Sequence, residues 1–197
     1  MLARTTVERA VVMTGIGGQG IQLVAKLLAE AGIREGRQVM MFGIFMGMIR
    51  GGSSDSTVVL ADDEIVSPPI VPEVWAVLAM HPEGLPKLAP KVRPGGALVR
   101  NATVVVKAPA WDGVLEVAVP ATDLATALGQ PLGASMVGLG ALAAATGVVA
   151  VPSLVDALAS VLPPHRQKHV ASNRACLERG SDWIREHGLD GSVAAWG

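Results

Sequence analysis

Six residues near the start of the chain, GIGGQG (15–20), restrict the possible folds more than any other stretch. The apolar run AVVM precedes them, and IQLVAKLLAE, with apolar residues at helical spacing, follows. We therefore predict a buried strand over 10–14, a glycine loop over 15–20 and a helix over 22–30. The N–H groups around Gly18 to Ile21 are expected to be free, and N–H groups at a helix start bind phosphate. Because this pattern alone is weak, a plain tight turn remains the alternative interpretation.

The rest of the chain alternates strand-like and helix-like segments. Further strands are predicted over 38–42, 56–61, 75–80, 96–101 and 114–120. Helices are predicted between the fourth and fifth strands, in ATDLATALG, and over 135–146, 153–161 and about 164–187. Strands that alternate with helices form a mostly parallel sheet covered on both faces. The sequence therefore predicts an α/β, doubly wound, Rossmann-like fold in one domain, 1–197, with a helical C-terminal part at about 134–190.

A long stretch without charge requires its own interpretation. No charged residue occurs between Asp123 and Asp156, which is long enough to suggest a membrane span. Prolines and glycines interrupt the stretch, and its centre, GLGALAAATG, is mostly small residues with weak transfer energies. We therefore expect a buried helix that packs closely against a neighbour, with a membrane helix as the alternative.

Composition indicates partners and location. Half of the residues are apolar and 17% are charged, which indicates an unusually apolar surface and permanent protein partners. The formal net charge is −1 without a lysine- or arginine-rich tract, so no nucleic-acid partner is expected. MLARTTVERA lacks the apolar centre of a signal peptide, and we expect a cytoplasmic protein. The one cysteine, Cys176, cannot alone hold an iron–sulfur cluster and is expected in the core.

The surroundings of the glycine loop restrict its ligand. NAD-binding folds usually carry an acid at the end of the second strand, where it holds the ribose hydroxyls. Here that strand ends in Met40-Met41-Phe42-Gly43, and the next acid is Asp55. No Lys-Ser/Thr pair follows the last glycine, so the loop is not a Walker loop. Other pyrophosphate ligands remain, including coenzyme A.

A second glycine-rich stretch, RGGSS (50–54), offers further donors to an anion. Arg50 supplies a forked donor for phosphate or carboxylate. Gly51 and Gly52 leave the backbone open, and Ser53 and Ser54 add hydroxyls. This second loop leaves the carboxyl end of the second strand, at the sheet edge where the glycine loop lies and ligands bind. The alternative is that Arg50 pairs with the acid that follows the serines.

The histidines give weaker signals. His81 follows a predicted strand and is expected to be a loop or helix-start residue, with a general base as the less favoured interpretation. His165 and His169 are four residues apart, but no third ligand is near, so we expect no metal site. Together with Arg166 and Lys168, they are expected to form a solvated basic face or a subunit contact.

These loops and several later stretches resemble the gamma subunit of the 2-oxoacid:ferredoxin oxidoreductases. That family includes the pyruvate, 2-oxoisovalerate, 2-oxoglutarate, indolepyruvate and phenylglyoxylate enzymes. The resembling stretches are GIGGQGIQLVAKLLAEAG, FG...RGGSSDSTVVLADDEI, LVRNATVV, VPATDLATALG, MVGLGALAAATGV and SNRACLERG, over about residues 9–182. The chain departs from the family at Gly47-Met48-Ile49, where members commonly carry a polar or acidic residue, and at Ala134-Ser135, where many have Asn.

The resemblance implies a doubly wound α/β fold and a division of roles among subunits. Thiamine diphosphate, Mg²⁺ and [4Fe–4S] clusters would belong to alpha, beta and ferredoxin-like delta subunits, which decarboxylate a 2-oxoacid and remove its electrons. The gamma subunit would receive coenzyme A and would carry no catalytic residue. We predict that coenzyme A is bound by Gly15, Gly17, Gly18, Gln19, Gly20, Ile21, Arg50, Gly51, Gly52, Ser53 and Ser54. Two alternatives are a stand-alone NAD-dependent oxidoreductase and a purely structural subunit whose glycine loop is only a turn.

Overall fold

A computed structural model describes residues 6–45, 52–68 and 70–196. Its strands are β1 (Glu8–Ile16), β2 (Gln38–Phe45), β3 (Ser53–Ala61), β4 (Val74–Ala79), β5 (Val92–Asn101) and β6 (Leu115–Val119). Its α-helices are α1 (Ile21–Arg34), α2 (Leu85–Leu88), α3 (Ala121–Ala127), α4 (Ala134–Thr146), α5 (Val151–Val161) and α6 (Val170–Glu186). Short 3-10 turns occur at Pro82–Gly84, Ala89–Lys91, Pro131–Gly133 and Pro164–His169. The six strands and the long helices occur in the predicted order, although, within the described residues, α-helices separate only β1 from β2 and β4 from β5.

The strands form a mostly parallel sheet in the order β2-β3-β1-β4-β5-β6. The pairs β1–β4, β4–β5 and β5–β6 are parallel, whereas β3 is antiparallel to both of its neighbours, β1 and β2. β3 turns back because only residues 46–52 connect it to β2, and a parallel crossover needs about a dozen residues or more. β2 runs in the same direction as β1, so both strands end at the same edge of the sheet.

The two faces of the sheet are covered by different layers. Val11 and Met13 of β1 face the side on which α1 and α3 to α6 pack. Ala10 and Val12 face the opposite side, where α2 and the segments that precede β4 and β6 contribute the apolar contacts. The α/β class and the burial of both sheet faces are confirmed. The long helices of the described chain share one face.

The uncharged stretch contains α4, which is buried along most of its length. The backbones of α4 and α6 approach closely at glycines: a Cβ on Gly140 would collide with the carbonyl oxygen of Leu177. A Cβ on Gly180 would likewise collide with the carbonyl oxygen of Val137. The predicted buried, closely packed helix is confirmed. Among the described residues, no helix combines the length and the hydropathy needed to cross a membrane.

The C-terminal helix begins later than the sequence suggests. The prediction of one helix over about 164–187 is wrong at its start, because Pro164–His169 form a 3-10 turn and α6 follows. The Gln167 side chain donates to the carbonyl oxygens of Ala159 (2.9 Å) and Leu162 (2.5 Å). These bonds tie the turn back to the end of α5. The basic residues of this segment therefore lie on a fixed turn ahead of α6.

Candidate functional site

The glycine loop joins the end of β1 to the first turn of α1. Gly18 (φ 95°) and Gly20 (φ 76°) adopt the left-handed backbone region that favours glycine. Gly17, Gly18 and Gly20 are exposed, so much of the loop's outer surface is bare backbone. Glycine at these positions gives the loop its shape and leaves its N–H groups accessible.

Gln19 fastens the loop to the sheet. Its Oε1 accepts a hydrogen bond from Ile16 N (2.9 Å), and its Nε2 donates to the carbonyl oxygen of Met80, just beyond β4 (3.3 Å). A Cβ on Gly15 would lie 2.5 Å from Gln19 Oε1, so glycine is needed there as well. The Gln19 backbone N donates to Ile16 O (3.2 Å), and the expectation of free N–H groups throughout the loop is therefore wrong at this residue.

The start of α1 presents uncapped N–H groups. Those of Gly18, Gly20 and Ile21 have no acceptor in the part of the chain that the structure describes. Gly20 is the N-cap and offers no capping side chain, and the first turn contains no acidic residue. Uncapped N–H groups give a helix start a partial positive charge. The arrangement is suited to an anion such as a phosphate, which the exposed glycines allow to approach the backbone.

The second loop meets the glycine loop at the same edge of the sheet. Gly17 N donates to Gly52 O (3.0 Å), and Ile16 pairs with Ser53 at the start of β3. Ser54 follows in the same ladder. The structure thus brings Gly52, Ser53 and Ser54 beside the glycine loop, as the sequence predicts.

The remainder of the second loop is only partly described. Arg50 and Gly51 lie outside the described residues. Asp55, the acid proposed as the alternative partner of Arg50, accepts hydrogen bonds from Thr14 Oγ1 (2.6 Å) and Ser53 Oγ (3.4 Å). The Ser53 hydroxyl therefore already has an acceptor within the protein.

A cleft of about 390 Å³ opens beside the glycine loop. Gly18 and Gly20 form one wall, the start of α4 forms a second, and the turn that leads into α6 forms a third. Gly20 lies so close to α4 that a Cβ there would be 3.2 Å from Ser135 Oγ. Ser135 is 4% exposed, and its hydroxyl has no hydrogen-bond partner among the described residues. Because Ser135 lines the cleft, its hydroxyl is available to a ligand there.

The third wall, formed by the turn before α6 and the first turn of α6, is basic. Arg166, His169 and Asn173 line it, and no aspartate or glutamate of the described chain lines the cleft. The sequence predicts a solvated face or a subunit contact for this segment. Its side chains are exposed, and Arg166 and His169 also border the glycine-loop cleft. The sequence contains one signal for this wall, the basic residues just before a predicted helix. Positive charges at a helix N-terminus oppose the helix dipole unless an anion lies near them.

Two other residues singled out in the sequence have structural roles. His81 Nδ1 accepts a hydrogen bond from Glu83 N (3.4 Å) at the start of the 3-10 turn after β4, as expected for a helix-start histidine. Cys176 is fully buried in α6, and burial raises the pKa of its thiol. The predicted core position of Cys176 is confirmed.

Curated proteins similar to this chain are subunits of 2-oxoacid oxidoreductases. The family model described as pyruvate ferredoxin/flavodoxin oxidoreductase matches residues 10–183. The 2-oxoglutarate synthase subunit KorC of Methanothermobacter thermautotrophicus is 30% identical over 188 residues, which cover 91% of this chain and 97% of KorC. The ketoisovalerate oxidoreductase subunit VorA of the same organism is 29% identical over 185 residues, covering 91% of this chain and 37% of VorA.

Solved structures share the fold. The gamma subunit of a keto/oxoacid ferredoxin oxidoreductase from Geobacter sulfurreducens gives a TM-score of 0.77 at 26% identity, covering 93% of this chain and 98% of that one. A 2-oxoglutarate:ferredoxin oxidoreductase from Magnetococcus marinus, with 2-oxoglutarate, coenzyme A and succinyl-CoA bound, gives 0.78 at 21% identity. That match covers 91% of this chain and 31% of the other, and at this identity it shows the fold alone. The chain therefore belongs to the pyruvate ferredoxin/flavodoxin oxidoreductase family, as a subunit of the gamma type.

Proposed function

We propose that this gamma-type subunit holds coenzyme A for a complex that converts a 2-oxoacid to its acyl-coenzyme A thioester. The observation that carries the proposal is the uncapped start of α1, where the N–H groups of Gly18, Gly20 and Ile21 can meet a pyrophosphate. The relatives support this choice of ligand and reaction. They include a 2-oxoglutarate synthase, a ketoisovalerate oxidoreductase and an enzyme solved with coenzyme A bound.

Coenzyme A fits the loop better than NAD does. An NAD-binding fold uses an acid after the second strand to hold the ribose hydroxyls. Here the first acid after β2 is Asp55, whose carboxylate accepts hydrogen bonds from Thr14 and Ser53 within the sheet. Coenzyme A carries the same pyrophosphate without requiring that acid.

The second loop is the proposed source of further phosphate donors. Its backbone is fixed beside the glycine loop by the hydrogen bond from Gly17 N to Gly52 O. The Ser54 hydroxyl makes no hydrogen bond with the described residues, whereas the Ser53 hydroxyl donates to Asp55. Arg50 and Gly51, outside the described residues, complete the proposed set.

The redox groups are assigned to partner subunits. A [4Fe–4S] cluster is held by about four thiolates, whereas this chain has one cysteine, buried in the core. We therefore assign thiamine diphosphate, Mg²⁺ and the clusters to alpha, beta and ferredoxin-like delta subunits, where they would supply decarboxylation and electron transfer. This chain contributes the binding and orientation of the coenzyme whose thiol accepts the acyl group, and no catalytic residue.

A branched side chain at Gly18 tests the proposal. Gly18→Val places a side chain where the phosphate would approach, without any protein atom within 4 Å of the new Cβ. Because a hydrogen bond to a charged group is worth roughly 1.5–3 kcal/mol, we expect the Kd for coenzyme A to rise about ten- to hundredfold. The measurement is calorimetric titration of the assembled complex with coenzyme A.

Gly36→Val is the matched control. Gly36 also has a left-handed backbone (φ 77°) and open space around its Cβ position, but it lies at the other end of α1. Both variants place a valine at a left-handed φ in open space, so a loss of affinity confined to Gly18→Val points to the loop. If Gly18→Val assembles and binds coenzyme A as tightly as the wild type, the loop is only a turn and the proposal is wrong. Tight NAD binding that Gly18→Val abolishes would instead favour the dinucleotide alternative.

A further inference from the structure

The basic wall of the cleft contains an arginine that the protein itself does not use. Among the arginines in residues 6–45, 52–68 and 70–196, Arg166 is the one whose side chain makes no ion pair, hydrogen bond or ring contact. Its backbone is nevertheless fixed, because Arg166 N donates to Pro163 O (2.8 Å) and the neighbouring Gln167 side chain ties the turn to α5. An unpaired guanidinium on a cleft wall is suited to an anionic group of a ligand.

The polar groups around the cleft are unpartnered as well. Ser135 is nine-tenths or more buried, and its hydroxyl has no partner in the described structure. The side chains of His169 and Asn173 make no hydrogen bond with the described residues, and both line the cleft. Ser135 is buried and Asn173 is half-buried, and polar groups in such positions normally have partners in a folded protein, whereas His169 is exposed. Their convergence on one cleft points to a polar ligand.

The cleft has two separate sets of anion donors. One is the start of α1, with the free N–H groups of Gly18 and Gly20, and the other contains Arg166 and His169 at the turn before α6. Between them, Leu23, Leu132 and other apolar side chains line the cleft. A ligand that uses both sets carries two anionic groups.

We propose that Arg166 and His169 bind the 3′-phosphate of coenzyme A, so that this cleft distinguishes coenzyme A from dephospho-coenzyme A. The inference rests on the proposed function, in which the glycine loop holds the pyrophosphate of the same molecule. Coenzyme A carries its 3′-phosphate on the ribose, one sugar away from the pyrophosphate, and therefore supplies two anionic groups. The adenosine portion occupies the cleft between the two walls, and Ser135 and Asn173 supply hydrogen bonds to it.

The test compares two ligands on the assembled complex. Wild type, Arg166→Ala and Arg174→Ala are titrated calorimetrically with coenzyme A and with dephospho-coenzyme A, which lacks only the 3′-phosphate. Arg174 is the control, because it lies in α6, is exposed, and pairs with Glu178 (2.7 Å) away from the cleft. We expect the wild type to prefer coenzyme A about tenfold or more, as for one charge-assisted hydrogen-bonded contact. Arg166→Ala should remove this preference by weakening coenzyme A alone, and Arg174→Ala should change neither Kd.

Several results would overturn the inference. Equal affinity of the wild type for the two ligands would show that the 3′-phosphate is not recognised. If Arg166→Ala lost the same affinity for both ligands, Arg166 would lie at the pyrophosphate or have a structural role. A third result would assign Arg166 to a subunit interface. In that case Arg166→Ala would fail to assemble, and Arg166→Lys would assemble but bind coenzyme A and dephospho-coenzyme A equally well.

The outcome for the glycine loop is separable from this one. If Gly18→Val leaves coenzyme A binding intact while Arg166→Ala removes the preference for the 3′-phosphate, the pyrophosphate assignment fails and the phosphate subsite stands. If Gly18→Val weakens the binding of both ligands while Arg166→Ala affects neither, the pyrophosphate assignment stands and the 3′-phosphate subsite fails.

Discussion

At the scale of single residues, Gln19 fixes the shape of the glycine loop, the proposed coenzyme A site, through two side-chain hydrogen bonds. Gln19→Ala removes the acceptor of Ile16 N and the donor to Met80 O. Each such bond contributes about 1 kcal/mol net, and a buried group left unpaired costs more. We therefore expect the free energy of unfolding to fall by about 1–3 kcal/mol and the Kd for coenzyme A to rise. Urea unfolding of the full chain and titration of the assembled complex measure these effects.

Gln19→Glu separates the two roles of this side chain. A glutamate can still accept from Ile16 N, but as a carboxylate it cannot donate to Met80 O. It also brings a negative charge next to the proposed phosphate site. The loss of stability should therefore be smaller than in Gln19→Ala, and the loss of coenzyme A affinity larger. Unchanged stability and affinity in Gln19→Ala would show that the loop keeps its shape without this residue.

The glycines could be predicted from the sequence, and the side chains that complete their surroundings could not. GIGGQG is a local pattern, and its strand and helix lie on either side of it in the chain. Gln19, by contrast, bonds to Met80, 61 residues away, and comes near it only because β1 pairs with β4. Ser135 lies beside Gly20, and Arg166 lines the same cleft, because helices pack on the same sheet face. No spacing in the sequence encodes those approaches.

At the scale of secondary-structure elements, the contact between α4 and α6 depends on glycine. An alanine Cβ at Gly140 meets the carbonyl oxygen of Leu177, which is backbone and cannot rotate away. At Gly138, in the same helix, the Cβ meets the ends of the flexible Leu78 (2.8 Å) and Met80 (3.3 Å) side chains. Both substitutions gain about 1 kcal/mol in helix propensity, so the difference between them reports packing.

We expect Gly140→Ala to lower the free energy of unfolding by about 1–3 kcal/mol, the usual cost of overpacking a core. Gly138→Ala should change it much less, because the neighbouring side chains can shift. Urea unfolding of the two full-length variants beside the wild type gives the comparison. Equal destabilisation by the two substitutions would contradict a backbone contact between α4 and α6.

The types of the elements were predictable, but the direction of one strand and the start of one helix were missed. Apolar runs and helical spacing predicted every strand and long helix of the described chain, with ends that differ by a few residues. The antiparallel course of β3 follows from its short connection to β2, a signal that the alternation of strands and helices obscured. The 3-10 turn before α6 depends on the Gln167 side chain, whose bonds to α5 no periodicity reports.

At the scale of the whole molecule, the glycine loop and the described part of the second loop meet at one sheet edge beside the cleft, and large apolar side chains are exposed both at the cleft and away from it. Leu132, at the cleft, is 89% exposed. Val66 (80%) and Val106 (72%) belong to the segments that precede β4 and β6, which cover the sheet face opposite the long helices. Exposed apolar side chains on a chain with few charges favour association with partners, as the composition predicts.

We therefore expect the purified single chain to be catalytically silent and to self-associate. It has one buried cysteine, and its proposed share of the reaction is to deliver a thiol, which by itself removes no electrons from a 2-oxoacid. The measurement is coenzyme A-dependent reduction of a viologen dye with pyruvate, 2-oxoglutarate or 2-oxoisovalerate, beside light scattering at increasing protein concentration. Partner subunits added back should restore activity and suppress association.

The same subunits with Gly18→Val should recover carbon dioxide release in the absence of coenzyme A and lose most of the coenzyme-dependent rate. Oxidation of a 2-oxoacid by the chain alone would contradict the assignment of the redox groups to other subunits.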